Sequence, residues 1–334
     1  MDTPAGVVPR VSSTLRPSDR IGAFKVRWGV GRMSYTVDPG LYALGRPGPD
    51  SYVFVTASYK MSFDRLRAAL AGRDGWILVL DTAGINVWCA AGKGSFGTEE
   101  MIDRIETSGL SDIVSHRRLI VPQLGGPGVA AHEVKRRSGF QVVYGPVAAE
   151  DIPPFLEGEL KATPVMRAKT FGTSERLALV PMEVIPALKV ALPAAAVLSI
   201  LAFLFSGLSI ERALGPARIV WVALGTSVLA GAVLTPLLLP WLPGRAFSAK
   251  GLVVGTAAAF CALFAGAGLG VLSALSVLLS VPAIAAFLAM NFTGSSTFTS
   301  LSGVQREMGW ALPLEAAGTA AGLALWVAAA VGGG

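Results

Sequence analysis

The sequence predicts an α/β domain followed by an all-α transmembrane domain of about five helices. Three observations predict it. Between Pro47 and Pro153, short apolar runs alternate with amphipathic stretches. From Ala187 onward the apolar runs lengthen to about 20 residues each, enough to cross the hydrocarbon core of a bilayer. Most Lys, Arg, Asp and Glu precede Lys189. Of the 334 residues, 52% are hydrophobic and 15% are charged, a balance that suits a chain lying partly in lipid. The resulting division places a cytoplasmic domain at residues 1–160, a basic linker at 161–186 and a transmembrane domain at 187–334.

The first domain reads as strand, helix, strand, loop, helix, repeated. Tyr52–Thr56 is a short buried strand. Ser62 is placed to cap the helix that follows, with Phe63, Leu66 and Leu70 on one face. Trp76–Leu80 is a second buried strand running into Asp81 and Thr82. Thr98 is placed to cap a further helix, whose first turn carries Glu99 and Glu100, where the helix dipole favours acid, and whose apolar face holds Ile102 and Ile105. Arg118–Val121 and Gln141–Tyr144 are the third and fourth strands. Buried strands alternating with helices imply a parallel sheet covered on both faces, with its ligand at the carboxyl ends of the strands. Thr56, Asp81–Gly97, Pro122–Val129 and Tyr144–Pro146 fall at those ends and make a broad shelf.

Five spans follow: Ala187–Gly207, Ile219–Leu242, Leu252–Leu269, Val271–Met290 and Leu312–Val331. Trp221, Trp241, Trp310 and Trp326 lie near span ends, as aromatic belts do, and Lys189 can snorkel to the interface. Gly225, Gly231, Gly255 and Ala265 suggest close helix packing. Intramembrane charge reads as close to absent, which favours an anchor over a transport pathway. Lys161, Arg167, Lys169, Arg176 and Lys189 ahead of the first span, with Arg245 and Lys250 on the second connection, place the soluble half inside. Arg212 and Arg218 on the first connection argue mildly against this. An odd number of spans leaves the C-terminal glycines outside.

The net charge of +6 is accounted for by this flanking positive charge, and no aromatic-plus-basic motif accompanies it, so nucleic acid is not an expected partner. Met1–Arg20 is rich in Pro, Ser and Arg without an apolar core, so no secretory signal peptide is expected. The two cysteines, Cys89 and Cys261, fall in different halves, and two cannot hold a four-cysteine cluster. Cys261 reads as a small buried packing residue.

Asn86-Val87-Trp88-Cys89-Ala90-Ala91-Gly92-Lys93-Gly94 is the most informative stretch. Asn86 suits a helix N-cap, the helix would run from Val87 to about Ala91, and Gly92 would end it. Cys89 then lies in the first turn, where free amides and the positive dipole end favour a thiolate, the metal-ligating form. From spacing alone this stands beside an inert buried cysteine next to a packing tryptophan. A Cys–His nucleophile with His116 or His132 has no spacing to support it.

Asn86–Gly94 resembles the cap-helix signature of the HgcA family, the corrinoid proteins of microbial mercury methylation. Tyr35–Tyr42, Val55–Asp64 and Asn291–Val304 are similar to the large subunit of the corrinoid iron–sulfur protein of acetyl-CoA synthesis. The resemblance covers nearly the whole chain. It implies a Rossmann-like corrinoid-binding domain with a cap helix at about 86–93. It also implies a cobalamin cofactor in its methylcobalamin form, held between the sheet's rim and the cap helix. The Cys89 thiolate would be the lower axial ligand of cobalt, with Asn86, Val87, Trp88, Ala90, Ala91, Gly92 and Lys93 as the cap segment. Thr56, Gln123, Gly125 and Gly126 carry over more weakly, from rim position. A thiolate opposite the methyl group pushes electron density toward it, as transfer to mercury(II) requires. With no cluster in this chain, electrons would come from a ferredoxin-like partner with two [4Fe–4S] clusters (HgcB in that family), and the methyl group from a separate methyltransferase. The competing expectation is a membrane-bound corrinoid methyl carrier of one-carbon and acetyl-CoA metabolism.

Overall fold

The buried apolar runs form the centre of a six-stranded sheet. At the N-terminus β1 (Asp2–Thr3) and β2 (Gly6–Val7) make a small antiparallel ladder. The main sheet comprises β3 (Arg10–Val11), β4 (Gly40–Leu44), β5 (Val53–Ala57), β6 (Gly75–Leu80), β7 (Arg118–Val121) and β8 (Gln141–Tyr144), in the order β3-β4-β6-β5-β7-β8. β5, β6, β7 and β8 are mutually parallel, so their carboxyl ends share one edge. β4 pairs antiparallel with β6 and parallel with β3. The sheet is therefore mixed, not wholly parallel as expected. Val53–Ala57 and Gly75–Leu80 are buried at every position, whereas Gly40–Leu44 mixes buried and half-buried positions, the pattern of a strand near an edge.

The computed structural model describes residues 1–266, 269–295 and 301–332, and the chain divides into two units, Met1–Thr170 and Phe171–Gly334. In the first, helices α1 (Pro17–Arg27), α2 (Lys60–Ala69), α3 (Val87–Lys93), α4 (Thr98–Thr107), α5 (Leu110–Ile113), α6 (Ala131–Ser138) and α7 (Ile152–Glu157) surround the sheet. One face packs Val55, Leu78, Leu119 and Val142 against Ala90, Met101, Ile105 and Val134. The other packs Phe54, Ile77, Val79 and Ile120 against Phe63, Leu66, Leu70 and Phe155. Side chains along each strand alternate between these two cores. Each fully buried Leu or Phe contributes roughly 1.5–3 kcal/mol.

Two expected caps differ. α2 starts after Tyr59, so Ser62 lies inside it. Thr98 is the first residue of α4, after Gly97; its hydroxyl accepts from the Ala130 amide at 2.8 Å and so ties α4 to the chain entering α6.

The second unit contains α8 (Thr173–Phe205) and α9 (Ile210–Val228), which continues through a π-helical stretch at Leu229–Leu234 into α10 (Thr235–Leu238). α11 (Phe247–Ala265), α12 (Val271–Asn291) and α13 (Leu301–Gly332) follow. Among the described residues, five helices are long and apolar enough to cross a membrane: Thr173–Phe205, Ile210–Leu238, Phe247–Ala265, Val271–Asn291 and Ser302–Gly332. The first and last start well before Ala187 and Leu312, because helix continues through their polar N-terminal turns. Arg245 lies between the second and third of these helices, while Lys250 is inside α11. Residues 267–268, near the end of the expected third span, and 296–300 of the Asn291–Val304 stretch lie outside the described residues.

Close packing occurs at Gly231, where a Cβ would lie 2.5 Å from the Ala285 carbonyl oxygen, and at Gly255, 2.8 Å from Ala285 Cβ. Gly225 faces open space, and Ala265 and Cys261 are exposed, so these three do not serve as packing residues. Trp221, Trp241 and Trp310 are exposed, but Trp326 is buried and donates its indole N–H to the Pro216 carbonyl at 3.1 Å. Charged side chains also occur within these apolar helices. Glu307 accepts from the Ser248 amide at 2.6 Å, and Lys250 donates to the Leu239 carbonyl at 2.7 Å. Glu315, in the middle of α13, is 7% exposed, and neither carboxylate oxygen has a hydrogen-bond partner among the described residues.

Candidate functional site

The shared carboxyl edge of β5–β8 carries α3. The segment entering α3 is suspended from a buried pair of hydroxyls. Ser58, just past β5, accepts from the Thr82 amide at 3.1 Å and the Gly84 amide at 3.2 Å, and its hydroxyl lies 3.2 Å from that of Thr82. Thr82 Oγ1 donates to the Ile85 carbonyl at 2.7 Å. Ala83 and Gly84 take left-handed backbone (φ 51° and 71°), which turns the chain sharply off β6. Ser58 is absent from the sequence-based site, and Thr82 enters it only as part of the Asp81–Gly97 stretch, with no role of its own. The only signal for them was a small hydroxyl residue at the end of each buried strand.

Asn86 caps α3 as expected: its Oδ1 accepts from the Cys89 amide at 3.0 Å, and its Nδ2 lies 3.5 Å from Cys89 Sγ. The helix continues past Gly92 to Lys93 and ends at Gly94, which takes left-handed backbone (φ 86°). Gly94, not Gly92, is the terminating glycine. Val87, Ala90 and Ala91 are buried, while Trp88, Cys89, Gly92 and Lys93 are exposed. α3 thus sits directly on the edge through its small apolar face, and its open face is the outer one. Cys89, Gly92 and Lys93 share that face by their three- and four-residue spacing.

Gly92 is informative. A Cβ there would meet no atom within 4 Å, and its backbone is ordinary helix, so the fold does not require glycine. Its cost of roughly 0.5–1 kcal/mol relative to alanine secures a flat, bare surface one turn from the thiol. Gly94 also faces open space, and the buried hydroxyl of Ser95 just beyond it has no hydrogen-bond partner among the described residues.

The loop after β7 packs on the far end of α3. A Cβ at Gly125 would lie 2.5 Å from the Phe96 ring, and one at Gly128 would overlap the Phe96 carbonyl oxygen. Gln123 and Gly126 are half-buried, Gly125 is buried, and Gln123 Oε1 accepts from Arg167 at 2.6 Å. Tyr144 donates to the Val129 carbonyl at 2.6 Å, and burial pushes its phenol above the ordinary value. The structure therefore brings the cap segment and the 123–128 loop together. It does not bring Thr56 to them: Thr56 is 3% exposed and shares the strand face of Phe54, away from α3. Neither histidine partners Cys89. His116 bonds the Ser51 carbonyl at 2.9 Å and the Arg118 amide at 3.2 Å, and His132 projects into solvent beside Glu133.

Comparison with known proteins places this unit. A family model described as CO dehydrogenase/acetyl-CoA synthase delta subunit matches residues 30–156. The acetyl-CoA decarbonylase/synthase complex subunit gamma of Archaeoglobus fulgidus is 32% identical over 128 residues, covering 38% of this chain and 27% of its own length. That of Methanopyrus kandleri is 34% identical over 125 residues, covering 37% and 27%. That of Methanocaldococcus jannaschii is 30% identical over 128 residues, covering 37% and 26%. The chain thus spans about a quarter of the length of these relatives, and the family match lies within the sheet-containing unit.

Proposed function

We propose that this chain is a membrane-held corrinoid protein that carries a methyl group, with Cys89 as the protein ligand of cobalt. The observation that carries the reading is the exposed Cys89 thiol on the open face of an N-capped helix, at the shared carboxyl edge of four parallel strands. The residues fit a large flat cofactor. One soft donor faces outward, Gly92 leaves bare backbone beside it, and the Ser95 hydroxyl lacks a partner among the described residues. Bound there, a corrinoid supplies a cobalt–carbon bond from which a methyl group can be transferred.

The chain's own residues position the donor. Asn86 holds the Cys89 amide and approaches its sulfur, Ser58 and Thr82 fix the turn into the helix, and the 123–128 loop clamps its far end. Trp88 and Lys93, both exposed, add an aromatic ring and a cation to the same short helix. The cofactor would meet the outer face of α3, because Val87, Ala90 and Ala91 close the space beneath.

The likeness to acetyl-CoA decarbonylase/synthase subunits favours carriage of a methyl group in one-carbon metabolism, in company with other subunits. A second reading, transfer to mercury(II) with a ferredoxin-like reductant, is favoured by Cys89 itself. A Cys89 thiolate holding the cofactor would donate electron density to it, as transfer to a soft metal acceptor requires. In either case the soluble unit faces the cytoplasm.

Full-length protein reconstituted with cobalamin should show a sulfur-ligated cobalt spectrum that Cys89→Ala abolishes, together with methyl transfer. A Cys89→Ala protein with an unchanged spectrum and undiminished transfer would falsify the assignment. Incubating the methylated protein with mercury(II) plus reduced ferredoxin, in parallel with an acetyl-CoA synthase core, separates the two acceptors.

A further inference from the structure

The helix α1 presents an apolar ridge that the rest of its unit leaves uncovered. Ile21, Phe24 and Trp28 recur at helical spacing and are 55%, 62% and 41% exposed, and Phe24 and Trp28 stack with ring centroids 5.9 Å apart. Val30 and Met33 extend the ridge beyond the helix at 59% and 72%. Isolated exposed apolar residues need no explanation, but a contiguous stripe marks an interaction surface.

The opposite face of α1 is firmly held. Val26 is 3% exposed, and Asp19 binds Lys60 and Arg67, each at 2.7 Å. Tyr35 donates to the Asp19 carbonyl at 3.0 Å, and its ring fills the space beside Gly22. The ridge therefore points outward on a fixed helix. Its charge is one-sided: from Arg16 to Met33 the bases are Arg16, Arg20, Lys25, Arg27 and Arg32, and the single acid, Asp19, is neutralised by its two ion pairs. On the helical wheel Lys25 lies to one side of the ridge, and Arg20 and Arg27 to the other.

We propose that the outer face of α1 lies on an anionic lipid surface, with its aromatic ridge among the acyl-chain ends and its flanking cations at the phosphate level. A large apolar face bordered by Lys and Arg is the composition of helices that lie in the plane of a membrane interface. The flanking cations complement an anionic surface, since the one acid of the segment is already taken up by Lys60 and Arg67. The family match begins at residue 30, so α1 and the five apolar helices both lie outside it.

The test is hydrogen exchange on the full-length protein in nanodiscs of phosphatidylglycerol and of phosphatidylcholine, and in detergent micelles. Amides of residues 20–30 should exchange on the order of tenfold more slowly in phosphatidylglycerol discs, and salt near 1 M should erase the difference between the two lipids. Phe24→Asp should lose the slowing altogether, and Arg20→Glu with Lys25→Glu should lose only the preference for phosphatidylglycerol. Amides of β5 and β6 report folding; if a variant loses those, the wild-type lipid comparison decides alone. Equal exchange of α1 in both lipids, or slowing that appears only with rising protein concentration or on adding a soluble partner, overturns the proposal.

Discussion

The carboxylate of Asp19 accepts from Lys60 Nζ and Arg67 Nη2, both at 2.7 Å, and Lys60 and Arg67 also bind Asp64. Arg67 further donates to the carbonyls of Ser12 and Thr14, so four side chains tie the N-terminal arm and α1 to α2. Burial alone would raise the Asp19 carboxyl. Hydrogen bonds from Lys60, the Arg16 amide and Arg67 outweigh it and hold the carboxyl at about 2, below its ordinary 3.8. A carboxyl lowered on folding stabilises the protein above its unfolded value and loses that contribution as pH falls toward the folded one. Stability should therefore decline as pH drops from about 4 to about 2, and Asp19→Asn should reduce that slope by up to about one proton. Denaturant titrations across this window measure the slope. An unchanged slope in the variant would show that other carboxyls set the acid limit.

At the level of elements, α3 illustrates what sequence can and cannot convey. Its start was legible because Asn before an apolar-periodic stretch has one efficient use, satisfying an amide of the first turn. Its end was not, because Gly92 has the composition of a stop signal but ordinary helical backbone, and Gly94 two residues later takes the left-handed turn. Gly92→Ala should stabilise the cofactor-free protein by roughly 0.5–1 kcal/mol, by relieving helical glycine, while weakening corrinoid binding. Thermal unfolding and cobalamin titration together check this. A variant that is more stable and binds equally well would remove the reason offered for the glycine. β6, β7 and β8 were legible to within one residue because buried parallel strands read as continuous apolar runs. β4 was not read as a strand: its burial pattern is irregular, and its partner β6 lies more than thirty residues away. Thr56 was placed at the correct strand end but on the wrong face, since strand position alone does not say which core a side chain enters.

At the scale of the whole chain, each unit carries its own apolar core, and nothing in the first depends on lipid to bury its strands. Met1–Thr170 produced alone should therefore be a soluble protein that unfolds in one cooperative step, whereas Phe171–Gly334 should require detergent. Circular dichroism with urea titration tests the first statement, and a non-cooperative or aggregated product would contradict it. Hydropathy and charge put the onset of the long apolar helices at Ala187, after a linker at 161–186, whereas the first of them begins at Thr173 and takes up the second half of that linker. The buried charges of the second unit were not legible, because composition does not say which way a helix turns its few polar residues. Glu315 has a consequence for how the chain is built. Placing a carboxylate at the middle of a helix makes its entry into the bilayer by itself unfavourable by on the order of 3 kcal/mol. Gly318 and Gly322, one and two turns on, admit Ala283 and Ser280 of α12 to within 3.0 Å and 2.9 Å of where a Cβ would stand. By its three- and seven-residue spacing to these glycines, Glu315 shares the side of α13 that packs on α12, so the neighbouring helix rather than lipid is what shelters the acid.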